Sequence, residues 1–571
     1  MKRVFSLFVI NFTAILLLGL FIRFAPVNNN HHIASSFLYR KIDPPFIKSI
    51  EDKWVDSVFN SLSEEERIAQ LIMIDVYPDK DESHFKEAEY IIDKYNPGGI
   101  IFFKGSPVKL ACLNNRLQNA ARTPLMTAID AEWGLNMRID STICYPKQMA
   151  LGAIQDDHLI YDMGVHIARQ LRRIGIHVNF APVADINNNP GNPVINMRSF
   201  GENRINVTKK SMLYIAGMQD NNVLAVAKHF PGHGDTDTDS HHALPLINHN
   251  RQRLDSIELF PFKELIFGGV GGIMMAHLNV PALDPEGLYA STLSPVITDS
   301  LLKKELGFRG LVFTDAMNMG GISKHFKPVD ANIMAIKAGN DVLLMPGEIA
   351  KTIAAIHKEI KKGEISEDDI NSRCKKVLAA KFWLGLNTYE PVKPDSLVSD
   401  LNLPEYRLLN EKLTEASLTL VINKNLLLPL RRLDTLRIAS VTIGGKKNNE
   451  FCKKLNQFAP VSNYYLSKES NEVIINKLYS ELSAYNLVIV GIHETDSRAS
   501  RDYGLTVNVV NFIDSVVAKN KVVLNLFANP YALSYFKNLN HLNGLIVSYI
   551  DTELTQHLSA QLIFGSVSAT G

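Results

Sequence analysis

The sequence predicts an α/β protein: a (β/α)8 TIM-type barrel followed by a smaller, mostly parallel α/β sandwich domain. Three observations predict it. Short apolar runs alternate with amphipathic stretches over roughly 280 residues, the length a barrel of this kind needs. A second series of the same type follows NKNLLLPL. Acidic and basic residues recur directly after the apolar runs, where such a barrel exposes its reactive rim.

The barrel begins after SLSEEERIAQLI, in which Ser63 and Glu66 have capping-box spacing and open a helix at residue 63. Strands are expected at 71–74, 99–103, 125–129, 176–180, 223–227, 272–275, 311–314 and 341–344. Helices are expected between them, among others at 157–174, 203–220, 252–268 and 296–306. The later strands fall at 436–444, 461–466, 486–492, 521–527 and 543–549, again with helices between. Residues 51–386 are therefore assigned to the barrel, 387–430 to an interdomain linker and 431–571 to the sandwich. The sandwich stops at FGSVSATG without a closing strand or polar tail, so either the chain is cut there or the gene continues.

Residues 1–25 differ from the rest. Lys2 and Arg3 precede a largely apolar run to Ile22. That is a charged region followed by a long hydrophobic region, as in a signal peptide. At ~19 residues the run is also long enough for a membrane anchor. Either reading exports the body, to the periplasm or to its membrane face, with the positive flank left in the cytoplasm. Residues 26–50 read as a polar tether.

Bulk composition excludes several classes. The net charge of +1 over 571 residues gives no electrostatic footprint for nucleic acid. The four cysteines have no CxxC spacing, so neither a zinc ribbon nor a disulfide framework is indicated. No metal or cofactor is expected.

Chemistry concentrates on one rim. Asp75 follows the first strand, Asp130 the third, Asp185 and Arg198 the fourth, Lys228 and His229 the fifth, His277 the sixth and Asp315 the seventh. A single aspartate after a strand is usually a cap or turn residue; this many on one rim is not.

The stretch KHFPGHGDTDTDSHHALP after the fifth strand admits three readings. DTDTDS imitates the start of a calcium loop, but the sixth position is Ser240 rather than glycine and the twelfth is Leu246 rather than glutamate. His229 and His233 have i, i+4 spacing, but Pro231, Gly232 and Gly234 forbid the helix that would pair them on zinc. A solvated loop is the second reading. The third is acid–base chemistry. Asp239 and His241 are separated by one serine, close enough for the carboxylate to fix the imidazole tautomer and favour its cation. His241 could then protonate a leaving oxygen and later deprotonate water, with Asp315 as nucleophile. That division of labour suits retaining glycoside hydrolysis.

KHFPGHG, four residues, then DSH resembles the signature of family 3 glycoside hydrolases of the β-N-acetylhexosaminidase branch. IDAEWGLNMR, YPKQMALGA, NFAPVADI, RSFG, AHLNVPALD and GFRGLVFTDAM are similar to family blocks and stand in family order. The resemblance covers roughly residues 55–385 strongly and the sandwich more weakly. It implies a glycosyl-enzyme intermediate on Asp315 and His241 as acid/base, assisted by Asp239. It also implies sugar contacts from Asp130, Arg138, Arg198, Lys228 and His229. His233, in the same loop, is assigned to the sugar or its leaving group. Trp133 replaces the family's usual glycine and either stacks on a sugar or packs under its loop. Glu132 is expected to orient that loop, Asp185 and His277 to support the rim, and His242 and His249 to be surface residues.

Three other readings stand beside this one. A β-glucosidase or β-xylosidase of the same family takes its acid/base glutamate from the second domain, and GIHETDSRASRDYG offers only Glu494 there. A phosphorolytic relative would use phosphate in place of water, since a neutral histidine does not repel it. An inactive sugar-binding scaffold would lack the dyad or the nucleophile, and all three residues are present. Export and the N-acetylglucosamine preference of the branch together point to peptidoglycan fragments as substrate.

Overall fold

The computed structural model describes residues 41–571 except His241 and residues 287–289. The leader assigned to 1–25, most of the tether and the imidazole assigned as acid/base lie outside the described residues. Residues Ile42–Gly571 form one compact unit.

Eight parallel strands run β1 (Ile72–Val76), β2 (Gly99–Phe102), β3 (Met126–Ile129), β4 (Val178–Asn179), β5 (Leu224–Phe230), β6 (Gly272–Met275), β7 (Leu311–Thr314) and β8 (Leu343–Leu344). Each pairs with its successor in order, and β8 returns to β1 through Met73 and Leu344. The turn of the barrel between β7 and β8 is closed by a bridge from Phe313 to Val342 and by the Leu344 amide, which donates to Thr314 Oγ1 at 2.9 Å. Strands covered on both faces must be apolar throughout, and this is why β2, β3, β6 and β7 read as unbroken apolar runs and are fully buried. Strand β4 is shorter than the pattern suggests, and its pairing with β5 continues past Pro182 through a bridge from Val183 to Lys228.

Helices connect the strands on the outside. The capping box at Ser63 and Glu66 is formed and starts the helix Glu64–Ala69. Within the stretch read as tether, Phe46 is fully buried. The turn Ile47–Glu51 packs against the helix Glu367–Trp383. Among the described residues no helix is long and apolar enough to cross a membrane. Charge is also stored at the end of the barrel opposite the rim. Just before β8, Asp341 is buried between Lys303 and Lys376 at 3.2 and 3.0 Å.

The second sheet has the order β11-β10-β12-β13-β14-β9, with β10 (Ile438–Ile443), β11 (Val461–Leu466), β12 (Leu487–Ile492), β13 (Val522–Leu526) and β14 (Gly544–Val547) parallel. Helices cover both faces: Leu455 and Leu558 belong to one apolar cluster, Leu482 and Phe512 to the other. Residues 387–430, read as a connection, carry the helix Pro404–Ser417 and the strand β9 (Thr419–Asn423), which pairs antiparallel with β14 at the sheet edge.

One buried cation outside the rim has a measurable consequence. Lys381 is fully buried, its ammonium donating to Gln70 Oε1 at 2.6 Å. Burial pushes it down to about 7. Between that value and the ordinary lysine range the unfolded chain holds a proton the folded chain lacks, so stability rises with pH across this window. Urea titrations of the wild type from pH 7 to 9.5 are expected to show a rising midpoint, and Lys381→Met is expected to flatten that rise.

Candidate active site

The C-terminal ends of the barrel strands surround a cavity of about 500 Å³. Asp130, Arg138, Arg198, Lys228, His229 and Asp315 all face it, six positions contributed by four strand ends. The structure thus brings these assignments together.

Their spacing follows from charge neutralisation. Lys228, at the end of β5, is almost fully buried. Its ammonium lies 2.9 Å from Asp130 Oδ1 and 2.8 Å from Glu132 Oε1. Arg138 Nη2 donates to the other oxygen of Asp130 at 2.6 Å. Arg198 grips Glu132 with Nε at 3.0 Å and Nη2 at 2.7 Å. The result is a row of alternating charges, Arg138–Asp130–Lys228–Glu132–Arg198. Burial alone would raise both carboxyls, but the cations outweigh it. Lys228 and Arg138 hold Asp130 well below the usual carboxylate range. Arg198 and Lys228 hold Glu132 at about 2. Glu132 is fully buried and absorbed by this row, which fits the orienting role expected of it.

Asp185 orders the next layer. Its carboxylate accepts from the backbone amides of His229 and His233 and lies 2.7 Å from His229 Nδ1. A proton on Nδ1 leaves Nε2 as an acceptor, and that nitrogen stands 3.4 Å from Arg198 Nη2. The Lys228–His229 and Phe230–Pro231 peptides are cis.

Asp315 ends β7. Its Oδ1 accepts from the Ala316 amide at 2.8 Å. Burial works against ionisation, but His277, His229, this amide and Lys228 together lower its pKa. The carboxylate is therefore charged at neutral pH. His277 Nε2 lies 3.1 Å from the Ala316 carbonyl oxygen, so that nitrogen carries a proton and the ring props the turn beneath Asp315.

The loop after β5 behaves differently from its neighbours. His233 does not line the cavity. It is buried, with Nδ1 2.8 Å from Thr236 Oγ1 and Nε2 3.0 Å from Ser240 Oγ. Burial, aided by nearby His229, pushes it down to about 4, so it is neutral at pH 7 and braces the loop from within. Asn192 ties this loop to the one after β4 by donating to the carbonyls of His233 and Gly234 at 2.9 and 3.1 Å. The two loops are so close that a Cβ on Gly234 would stand 1.7 Å from the Ile186 oxygen. Asp239 is half-buried, and its carbonyl accepts from the amides of His242 and Ala243. Ser240, directly before His241, faces the same cavity as Asp315. Its carbonyl accepts from Gly321 in the segment that follows Asp315.

The first aspartate of the run that imitates a calcium loop is otherwise engaged. Asp235, His249 and Glu258 bring potential ligand atoms within 4.8 Å of one another. Arg253 donates to both oxygens of Glu258 at 2.6 and 2.7 Å and reaches Asp235 at 3.4 Å. Its guanidinium supplies the positive charge a cation would bring. His249, expected to be an ordinary surface residue, bonds Asp235 at 2.7 Å.

Among the wall residues that carried no signal in the sequence are Tyr77, Phe103, Met319 and Met345. They follow the ends of β1, β2, β7 and β8, and that position was the available clue. Tyr77 and Phe103 stack with centroids 5.2 Å apart. Trp133 is absent from the wall and sits beside Lys147, whose ammonium is 5.2 Å from its ring centroid. Glu494 lines a separate cavity of about 230 Å³ in the sandwich, with His493 and Asp551.

The sequence model described as Glycosyl hydrolase family 3 N terminal domain matches residues 63–380. The chain is 36% identical over 380 residues to "Beta-hexosaminidase A" of Pseudoalteromonas piscicida, a match covering 60% of this chain and 62% of that protein. It is 25% identical to "Beta-N-acetylglucosaminidase/beta-glucosidase" of Cellulomonas fimi, over 66% of this chain and 68% of that one. The chain thus spans less than two thirds of the first of these relatives. Among solved structures it resembles a glycoside hydrolase family 3 β-N-acetylglucosaminidase from Paenibacillus sp. str. FPU-7. The TM-score is 0.74 at 29% identity, covering 90% of this chain and 98% of that one.

The buried row of charges makes a direct prediction. Lys228→Met leaves Asp130 and Glu132 without their shared cation. Each carboxylate keeps its arginine but loses its second partner, and breaking a buried ion pair costs on the order of 3–5 kcal/mol. Urea denaturation at pH 7 is expected to show a loss of that size, and a loss below about 1 kcal/mol would mean that the row does not act as a unit.

Proposed function

The chain belongs to glycosyl hydrolase family 3, and from that premise we propose that it is a retaining β-N-acetylhexosaminidase releasing terminal β-linked N-acetylglucosamine. The observation that carries the reading is the ionised, half-buried Asp315 in a cavity whose other charged wall residues are the Asp130–Lys228–Glu132 row and its arginines.

In this mechanism Asp130 and Arg138 take the sugar hydroxyls as acceptor and donor, while Arg198, Lys228 and His229 complete the grip through charge-assisted hydrogen bonds. Asp315 attacks the anomeric carbon as His241, in its cationic form, passes a proton to the glycosidic oxygen. The aglycone leaves and a glycosyl-aspartate ester remains. His241, now neutral, removes a proton from water; the hydroxide oxygen bonds to the anomeric carbon and the Asp315 carboxylate departs. Asp239 favours the cationic form of His241 in the first step. The placement of Ser240 on the cavity wall supports assigning this role to the residue after it. The placement of Glu494 in a separate cavity of the sandwich weighs against the glucosidase arrangement with a second-domain glutamate.

We further propose that the protein is exported by residues 1–25 and acts on peptidoglycan fragments. The leader and the branch resemblance support this. Activity on muropeptides with none on chitooligosaccharides is the expected pattern, and the reverse would defeat the substrate assignment.

Incubation with chromogenic N-acetyl-β-glucosaminide and β-glucoside is expected to release chromophore from the former only. Asp315→Ala should lower turnover by about 10³-fold or more while the melting temperature stays near the wild-type value. His241→Ala should depress kcat for substrates with poor leaving groups far more than for activated aryl ones. Equal losses on both would remove His241 from the acid role.

A further inference from the structure

The loop between β4 and the helix Arg204–Gln219 has two faces. One face supplies Val194 and Arg198 to the cavity wall. The other is held by the sandwich. Asn196, which starts the turn Asn196–Arg198, has φ +41°, a left-handed conformation uncommon outside glycine. Its side chain is gripped at both ends: Oδ1 accepts from Asn529 Nδ2 at 2.5 Å, and Nδ2 donates to the Ser497 carbonyl at 3.0 Å. Asn529 is itself buried, and its Oδ1 accepts from the Tyr531 amide at 3.0 Å. That bond fixes its amide so that Nδ2 faces Asn196. Tyr531 holds the other end of the loop. Its hydroxyl lies 3.0 Å from the Asn187 carbonyl, 3.2 Å from Asn187 Nδ2 and 2.7 Å from Glu202 Oε1. Asn187 Oδ1 in turn accepts from the Asn196 amide at 2.8 Å.

We propose that Asn529 and Tyr531 of the sandwich are positioning residues for the sugar site, holding the turn Asn196–Arg198 so that the Arg198 guanidinium stays aligned on Glu132 and the cavity. This inference rests on the hydrolase reading above. Packing of the two domains alone would not require a left-handed asparagine whose side chain makes its two shortest bonds to the other domain, with a longer one of 3.4 Å to the Asn192 carbonyl in its own loop. Inside the barrel the turn is held by the Asn196 amide on Asn187 Oδ1, by the Arg198 amide on the Ile195 carbonyl, by Ser199 Oγ on the Asp185 carbonyl and by Asn192, whose Oδ1 accepts from the Val194 and Ile195 amides. Without the sandwich contacts the Asn196 side chain keeps its 3.4 Å bond to the Asn192 carbonyl, and the geometry of Arg198 rests on Glu132, on the Val194 carbonyl and on these bonds within the loop. The barrel carries the reacting groups, and the sandwich sets the aim of an arginine that grips the sugar beside them.

The test uses the whole chain with Asn529→Ala and, because that change opens a small buried gap, Tyr531→Phe, which removes one oxygen. Each is expected to lower kcat/KM on chromogenic N-acetyl-β-glucosaminide by about tenfold, as for coupled neighbours, with the melting temperature nearly unchanged. In an Arg198→Ala background the same changes should cost less than about twofold. Equal losses in both backgrounds would overturn the proposal and leave a packing role. Hydrogen exchange supplies a readout that needs no substrate. The Asn196 and Arg198 amides, both bonded in the native loop, should exchange faster in either variant while those of 130–138 do not change. Unchanged exchange at Asn196 and Arg198 would overturn the clamp. If the wild type cleaves no N-acetylglucosaminide, the hydrolase reading fails, and exchange still decides whether the sandwich holds the loop.

Discussion

The ammonium of Lys228 is the point on which the rest of the site depends. Two carboxylates on the loop after β3 approach within hydrogen-bonding distance of one buried cation from β5. Neither carboxylate could remain ionised there alone, because burial disfavours charge by several kcal/mol per ion. With Lys228 between them and an arginine at each end, each carboxylate has two cationic partners, and each member is left with a fixed direction. Asp130 keeps a charged oxygen at the cavity and Arg138 keeps unused donors beside it. That combination of acceptor and donor suits a hydroxylated ring better than an apolar or a purely anionic ligand. The ionised state of Asp315 belongs to the same field, since Lys228 is among the groups that lower its pKa.

Around this row, successive layers of polar contacts hold the loops. Asp185 locks the backbone of His229 and His233. Asn192 joins the loops after β4 and β5. Asn529 and Tyr531 then hold the outer face of the loop after β4 from the second domain. A cavity built from loops would ordinarily be the most variable part of the fold. Here each loop is bonded to its neighbour, so groups brought from four strand ends hold one arrangement. The apolar wall of Tyr77, Phe103, Met319 and Met345 contributes shape without competing for the charges.

Much of this was legible in the sequence. The barrel strands are covered on both faces and so appear as apolar runs, and the charged residues at their ends are arranged by the same geometry that makes the fold. Asp130, Arg198, Lys228, His229 and Asp315 could therefore be placed on one rim by position, while Arg138 came only from the family resemblance. Strand β9 was not legible, because an antiparallel edge strand is only half-covered and its residues Thr419–Asn423 show no clean alternation. His233 looked equivalent to His229, yet the chain turns after Pro231 and Gly232 carry it inward to Thr236 and Ser240. The contacts of Asn529 and Tyr531 join residues more than 300 positions apart, and no periodicity or spacing encodes such a pairing.

Whether Asp315 forms a bond to the anomeric carbon can be tested by covalent trapping. The intact protein is reacted with a fluorinated N-acetylglucosaminyl fluoride that slows the second step, and peptides are then mapped by mass spectrometry. A single glycosyl adduct on Asp315 is the predicted result. An adduct on another carboxylate, or release of a product with inverted anomeric configuration, would contradict it.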